Sequence, residues 1–164
     1  MSKIKGLIFD LDGVLVNTKK IHFDALNLAL KKIKAKEISY VDHLNIYDGL
    51  PTAKKLEILN KNKVLNKKYN QTIKKIKQEN TLKLLNSYIR YNPKIYNTFL
   101  KLSKKYKISL ATNAVKKTLD LCLKKLKIEK FISFSYSNED VNNNKPHPEV
   151  YLKCLVNMGL KPSE

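Results

Sequence analysis

Two aspartates spaced i, i+2 close a short apolar run near the start of the chain, in Gly6-Leu7-Ile8-Phe9-Asp10-Leu11-Asp12-Gly13-Val14-Leu15-Val16. Side chains alternate faces along a strand, so both carboxylates point the same way where the strand stops. Gly13 then lets the backbone turn sharply. Two acids at the carboxyl end of a buried strand are costly to keep unless a cation or a reaction uses them. A solvated Asp-Gly turn accounts for Asp12, but not for Asp10 held between Phe9 and Leu11.

Two further sets of residues fall where an open parallel sheet binds its ligands, at the carboxyl ends of strands. Thr112-Asn113 closes the run Ile108 to Thr112. A hydroxyl and backbone N–H groups near a helix start suit a phosphate there, although most such pairs are simple helix caps. Lys145 begins Lys145-Pro146-His147-Pro148-Glu149, where two prolines stiffen the loop and fix where the ammonium points.

The elements that must position these residues follow from periodicity. Lys3 to Phe9 reads as a buried strand, Lys19 to Lys34 as an amphipathic helix, and Pro51 opens a helix through Leu59. Asn60 to Lys68, rich in Lys and Asn, reads as a solvated loop. Tyr69 to Asn80 and Leu82 to Tyr88 read as two more helices. From Pro93 the pattern changes: helix to Lys105, strand Ile108 to Thr112, helix Lys116 to Leu126, strand Phe131 to Phe134, helix Pro148 to Met158 stopped by Gly159. Strand and helix in alternation predict an α/β fold with a parallel sheet, interrupted after its first strand by a helical block. The expected division is 1–16 with 88–164 as the α/β core, and 17–87 as the helical domain.

Composition narrows the class. The 164 residues carry 43% hydrophobic content, enough for a packed core, and a formal net charge of +19. That charge does not point to specific nucleic-acid binding. Nearly all of it is lysine spread over every helix, Arg90 is the single arginine, and nucleic-acid readers favour clustered arginine. It does favour anionic substrates. Cys122 and Cys154 stand apart in apolar helical patterns and read as buried thiols of a cytoplasmic protein. No stretch has the length and apolarity of a membrane span or a signal peptide.

The order and spacing of DLDGVLVNT (residues 10 to 18), ATN (111 to 113) and KPHPEVY (145 to 151) resemble the haloacid dehalogenase superfamily of phosphohydrolases. His22 and Tyr47-Asp48-Gly49-Leu50-Pro51-Thr52 resemble the helical cap of its β-phosphoglucomutase-like and phosphoglycolate-phosphatase-like branch. The resemblance implies a Rossmannoid core with an inserted helical cap, and a Mg²⁺-dependent phosphatase acting on a small phosphorylated metabolite. It implies Asp10 as the nucleophile and Asp12 as general acid, then base. Mg²⁺ would lie on the Asp10 carboxylate and the Asp12 carbonyl, Thr112 and the N–H groups after it would hold the phosphoryl oxygens, and Lys145 would neutralise charge. Asn113, His22, Gly49, Thr52, Lys55 and Lys77 are the implied substrate-binding residues. The cap lysines Lys54, Lys55 and Lys77 read equally well as surface charges.

The chain departs from the family pattern in three places. Asn17 stands where this branch often has Asp, and Thr52 where the mutases carry a basic residue. The fourth motif, one or two acids on the next strand, has no counterpart before Glu164. The expectation is therefore a shortened chain with an open edge on its first strand, weak Mg²⁺ binding and little activity, and a monomer when complete. The alternatives are a β-phosphoglucomutase-like phosphosugar mutase, and an inactive remnant that binds an anionic ligand or a protein partner.

Overall fold

A computed structural model of the protein describes residues 3–164. Strands β1 (Gly6–Phe9), β2 (Lys107–Ala111) and β3 (Phe134–Tyr136) form a parallel sheet in the order β1-β2-β3. Gly6 lies opposite Lys107 and Phe9 opposite Leu110, while Ser109 lies opposite Phe134 and Ala111 opposite Tyr136. The helices are α1 (Lys19–Lys32), α2 (Tyr40–Asp42), α3 (Thr52–Lys61), α4 (Asn70–Tyr88), α5 (Pro93–Leu102), α6 (Lys116–Leu126) and α7 (Glu149–Met158). The chain forms two compact units, one from the segments up to Asn17 and from Asn86 onward, the other from Thr18–Leu85.

In the first unit, alternation along β1 sends Ile8 and Phe9 to opposite faces of the sheet. Ile8 packs with Val150, Cys154 and Met158 of α7, and the Phe9 ring lies 5.0 Å from that of Phe99 on α5. A parallel sheet needs cover on both faces, and Ile108, Ser109, Leu110 and Ala111 of β2 are accordingly buried. The one hydroxyl among them is satisfied: Ser109 Oγ donates to the Phe134 carbonyl at 2.7 Å. Gly159, at φ 64°, ends α7 in a left-handed turn, with the Leu160 N–H bonded back to the Leu155 carbonyl at 3.0 Å. That turn brings Leu160 against Gly6, where an added Cβ would lie 2.5 Å from Leu160 Cδ1. Among the described residues β1 is an edge strand, and at its start the Glu164 carbonyl accepts from the Lys5 and Gly6 N–H groups.

The second unit is helical, with a core of Leu26, Ala29, Leu30, Tyr47, Leu56, Leu59, Leu65 and Ile73. Several expectations are corrected here. Residues 60–68 are a solvated loop only in part: α3 runs on to Lys61, a 3₁₀ turn starts at Lys67, and Leu65 is buried in that core. The expected break near Thr81 does not occur, because α4 is continuous and the buried Thr81 hydroxyl donates to the Lys77 carbonyl at 2.8 Å. Residues 40–47 form a helical turn followed by a wider π-type turn, an element with no repeating apolar signal.

In the first unit, the third strand is shifted. Residues Glu129–Phe131 close a 3₁₀ turn through Phe131 N–H to Ile128 and Ile132 N–H to Glu129, so the first bond to β2 is from the Ser133 N–H to the Ile108 carbonyl at 2.8 Å and the strand itself starts at Phe134. Helix α5 stops at Leu102, where Lys105 is expected.

Candidate active site

Three chain segments that are far apart in sequence converge at the carboxyl end of the sheet. β1 ends at Phe9, and burial keeps alternating beyond it: Leu11 is fully buried, while Asp10 and Asp12 on either side are partly exposed. Gly13, at φ 77°, turns the chain, and its N–H bonds the Val16 carbonyl at 2.8 Å. β2 ends at Ala111, so Thr112 and Asn113 follow directly and lead into α6. β3 ends at Tyr136 and gives way to the loop that carries Lys145.

The Lys145 ammonium reaches Asp10 Oδ1 at 2.7 Å and donates to the Ala111 carbonyl at 3.0 Å. Its side chain is 13% exposed, against 39% for Asp10. Asp10 Oδ1 also accepts from the Leu11 N–H at 2.7 Å. One carboxylate oxygen is thus held by two donors, and Oδ2 has no protein partner among the described residues. Charge-assisted bonds of this length are the strong ones, so Asp10 is held as an oriented carboxylate.

Thr112 is buried, and its N–H donates to the Tyr136 carbonyl at 3.0 Å. Its hydroxyl oxygen accepts from the Ala114 N–H at 3.0 Å, which leaves the hydroxyl proton to donate elsewhere. The Ala114 N–H thus bonds within the turn that follows Thr112. Asn113 faces Lys145. Its Oδ1 accepts from the Lys145 N–H at 3.0 Å, and its Nδ2 donates to the Lys145 carbonyl at 3.1 Å.

The loop before α7 is fastened by acids that sequence reading passed over. Asp140 accepts from the Ser137 N–H at 2.7 Å and the Ser137 hydroxyl at 2.6 Å. Burial pulls the Asp140 carboxyl upward, but those two bonds, with Lys116 and Lys153 nearby, outweigh it and leave it below the usual carboxylate range. Glu149 accepts from the N–H groups of Asn142 at 2.7 Å and Asn143 at 2.9 Å. The bond from Asn142 is the main reason its carboxyl is held low. Glu149 belongs to the KPHPE run, so the one available signal was its place beside Lys145.

Asp12 lies close enough to Cys122 that its charge, after burial, helps push the thiol up to about 12. Both cysteines are free and buried. Among the described residues no three His, Cys, Asp or Glu side chains gather as a metal cage. Mg²⁺ does not require one, since it takes one or two carboxylates and completes its shell with water and phosphate oxygens. The Asp10 carboxylate and the hard oxygen donors of Asp12 fit such an ion in kind.

The remaining expected residues lie in the helical unit, apart from the Asp10 cluster in sequence and in fold unit. His22 is on α1 and half-buried, Gly49 (φ 73°) and Thr52 lead into α3, and Lys55 and Lys77 lie on α3 and α4. Lys54 is an exposed charge paired with Glu57 at 2.9 Å. Lys55 and Lys77 are not surface charges: they are 4% and 6% exposed. Sequence reading missed His43, which is fully buried, with neither ring nitrogen in a hydrogen bond.

Comparison with known proteins gives the family and the fold. Residues 7–164 match the model of the haloacid dehalogenase-like hydrolases. The pyrophosphatase PpaX of Bacillus cereus (strain AH820) is 26% identical over 99% of this chain and 72% of its own length. The crystal structure of a candidate β-phosphoglucomutase from Thermotoga maritima is 28% identical, with a TM-score of 0.71 over 97% of this chain and 73% of that one. A predicted phosphoglycolate phosphatase from Haemophilus somnus 129pt shares the fold at a TM-score of 0.80, with 22% identity over 99% and 75% of the two chains. With its aspartate and lysine joined at the end of a parallel sheet, and a family match over nearly all its length, this chain belongs to the haloacid dehalogenase-like hydrolases, a family of enzymes.

Proposed function

We propose that the protein is a Mg²⁺-dependent phosphatase that hydrolyses a small phosphorylated metabolite through an aspartyl-phosphate on Asp10. The observation that carries this reading is the 2.7 Å pair between Lys145 and Asp10 Oδ1 at the carboxyl end of β1. A carboxylate with one oxygen held by two donors and the other free is oriented for attack, and the lysine beside it lowers the cost of bringing up an anionic phosphate.

In this scheme Asp10 Oδ2 attacks phosphorus and the bond to the leaving oxygen breaks. Asp12 gives that oxygen a proton, then takes one from the water that hydrolyses the acyl-phosphate. The Thr112 hydroxyl donates to a phosphoryl oxygen. Mg²⁺, held by the Asp10 carboxylate and the Asp12 carbonyl, would supply positive charge against the repulsion between carboxylate and phosphate. The helical unit would choose the substrate through His22, Gly49, Thr52, Lys55 and Lys77. The similarity to a curated pyrophosphatase supports phosphate-ester or anhydride chemistry. The similarity to a candidate β-phosphoglucomutase keeps a phosphosugar mutase as the second reading, separated by dependence on a bisphosphate activator.

The deciding experiment is Asp10→Asn, assayed with millimolar Mg²⁺ against pyrophosphate, p-nitrophenyl phosphate, sugar phosphates and phosphoglycolate. An amide cannot form the acyl-phosphate, so turnover and acid-stable labelling from ³²P-substrate should both vanish. Turnover remaining within tenfold of the parent would remove Asp10 from the nucleophile's role.

A further inference from the structure

We propose that Asn113 is a positioning residue that sets the catalytic lysine, and does not bind substrate. Its carboxamide bonds both backbone groups of Lys145, a residue 32 positions away: the N–H to Oδ1 at 3.0 Å, and the carbonyl from Nδ2 at 3.1 Å. This is the pairing that one strand residue gives another, supplied here by a side chain. It engages both ends of the amide, one lone pair of Oδ1 and one of the two Nδ2 hydrogens.

The rest of the Lys145 loop has other fastenings. Ser137 is tied to Asp140, Asn142 and Asn143 to Glu149, and the His147 N–H to the Asn144 carbonyl at 3.0 Å. The backbone of Lys145 itself is tied by Asn113. Its side chain then spans to Asp10 Oδ1 and to the Ala111 carbonyl, two residues before Asn113. Lysine has four side-chain torsions and no fixed fork, so its ammonium is placed only as well as its backbone is. Asn113, directly after Thr112 at the end of β2, refers that backbone to the sheet that also carries Asp10. The loop end and the nucleophile therefore share one rigid frame. A displacement of about 1 Å at such a site costs on the order of 10²-fold in rate.

The inference rests on the reading of Lys145 and Asp10 given above, so the test has two arms. The first measures the protein without turnover: amine-selective labelling with mass-spectrometric readout, comparing Lys145 with exposed Lys54 as an internal standard. Asn113→Ala should raise the Lys145 labelling rate several-fold, with Lys54 unchanged and circular dichroism intact. Asn113→Asp keeps the acceptor for the Lys145 N–H and should fall between parent and alanine variant. The second arm is kinetic: kcat should fall about 10- to 100-fold in Asn113→Ala with KM within about twofold, and Asn113→Asp should recover part of it. Unchanged Lys145 labelling would overturn the proposal. So would a rise in KM at constant kcat, the pattern of a lost substrate contact. Loss of the Asp10 role with labelling still coupled to Asn113 would remove the phosphatase reading and leave the clamp standing.

Discussion

At the scale of single residues, Asp12 and His43 make the sharpest contrast, one an acid left partly exposed at the end of the sheet and the other a ring buried in a core. Asp12→Asn should slow turnover by on the order of 10²–10⁴. The loss should shrink for p-nitrophenyl phosphate, whose leaving group needs no proton; an equal loss on good and poor leaving groups would argue against the acid role. His43 is buried between Phe23 and Tyr40, with ring centroids 5.4 and 6.2 Å away. Burial, then Lys55, lowers its pKa; His22 adds to this, while Asp48 and the nearby Lys19 backbone oppose it without making a hydrogen bond. A histidine whose folded pKa is depressed contributes fully above its unfolded value near 6.5, and that contribution is lost as pH falls through the folded value. Melting temperature should therefore drop between pH 7 and 5 by a few degrees more in the parent than in His43→Phe. Parallel curves would show that His43 does not titrate with unfolding. The Asp10, Thr112 and Lys145 motifs were legible because each stands where a strand or a proline-stiffened loop ends. Lys55 and Lys77 were not, because in a chain so rich in lysine a buried one has no local mark.

At the scale of elements, the helix ends show how composition and geometry disagree. The residues after α1, α3 and α6, Lys34, Lys63 and Lys127, all sit at φ 58°, where glycine is the usual residue. Each is followed by a bond from the next N–H back into the helix: Ala35 to Leu30, Val64 to Leu59, Ile128 to Leu123. A side chain in this conformation costs about 1–2 kcal/mol. Lys34→Gly and Lys63→Gly should each raise stability by about 0.5–1 kcal/mol in urea melts, after the entropy glycine adds to the unfolded chain. Lys127→Gly should gain less, because its ammonium lies 5.3 Å over the Tyr91 ring. Equal gains at all three would remove the Tyr91 contact from the account. Sequence reading placed α6 at its observed bounds, since Leu119, Cys122, Leu123 and Leu126 repeat cleanly on its buried face. It misplaced β3, because Phe131 and Ile132 are as apolar as a strand and only the turn at Glu129–Phe131 keeps them out of the ladder. Short apolar runs do not distinguish the two.

At the scale of the whole molecule, the α/β class followed from the order of the elements, while the sheet's register depended on contacts no local pattern encodes. β1 and β2 are hydrogen-bonded neighbours, yet Gly6 and its partner Lys107 stand roughly a hundred residues apart, with the entire helical unit between them. Closing so long a loop costs entropy before any pairing repays it. The helical unit, a single continuous stretch of chain from Thr18 to Leu85, has no such debt. β1 should thus be among the last elements to dock, and the strand that leads into Asp10 should be the one that comes loose first. Native-state hydrogen exchange measures this: β1 amides should open at lower free energy than those of β2, which is paired on both sides. Identical protection would mean that β1 leaves only with the whole fold. If β1 does open early, Asp10 loses its partner on Lys145 before the rest of the molecule unfolds, and the Asp10–Lys145 pair marks the earliest point of failure.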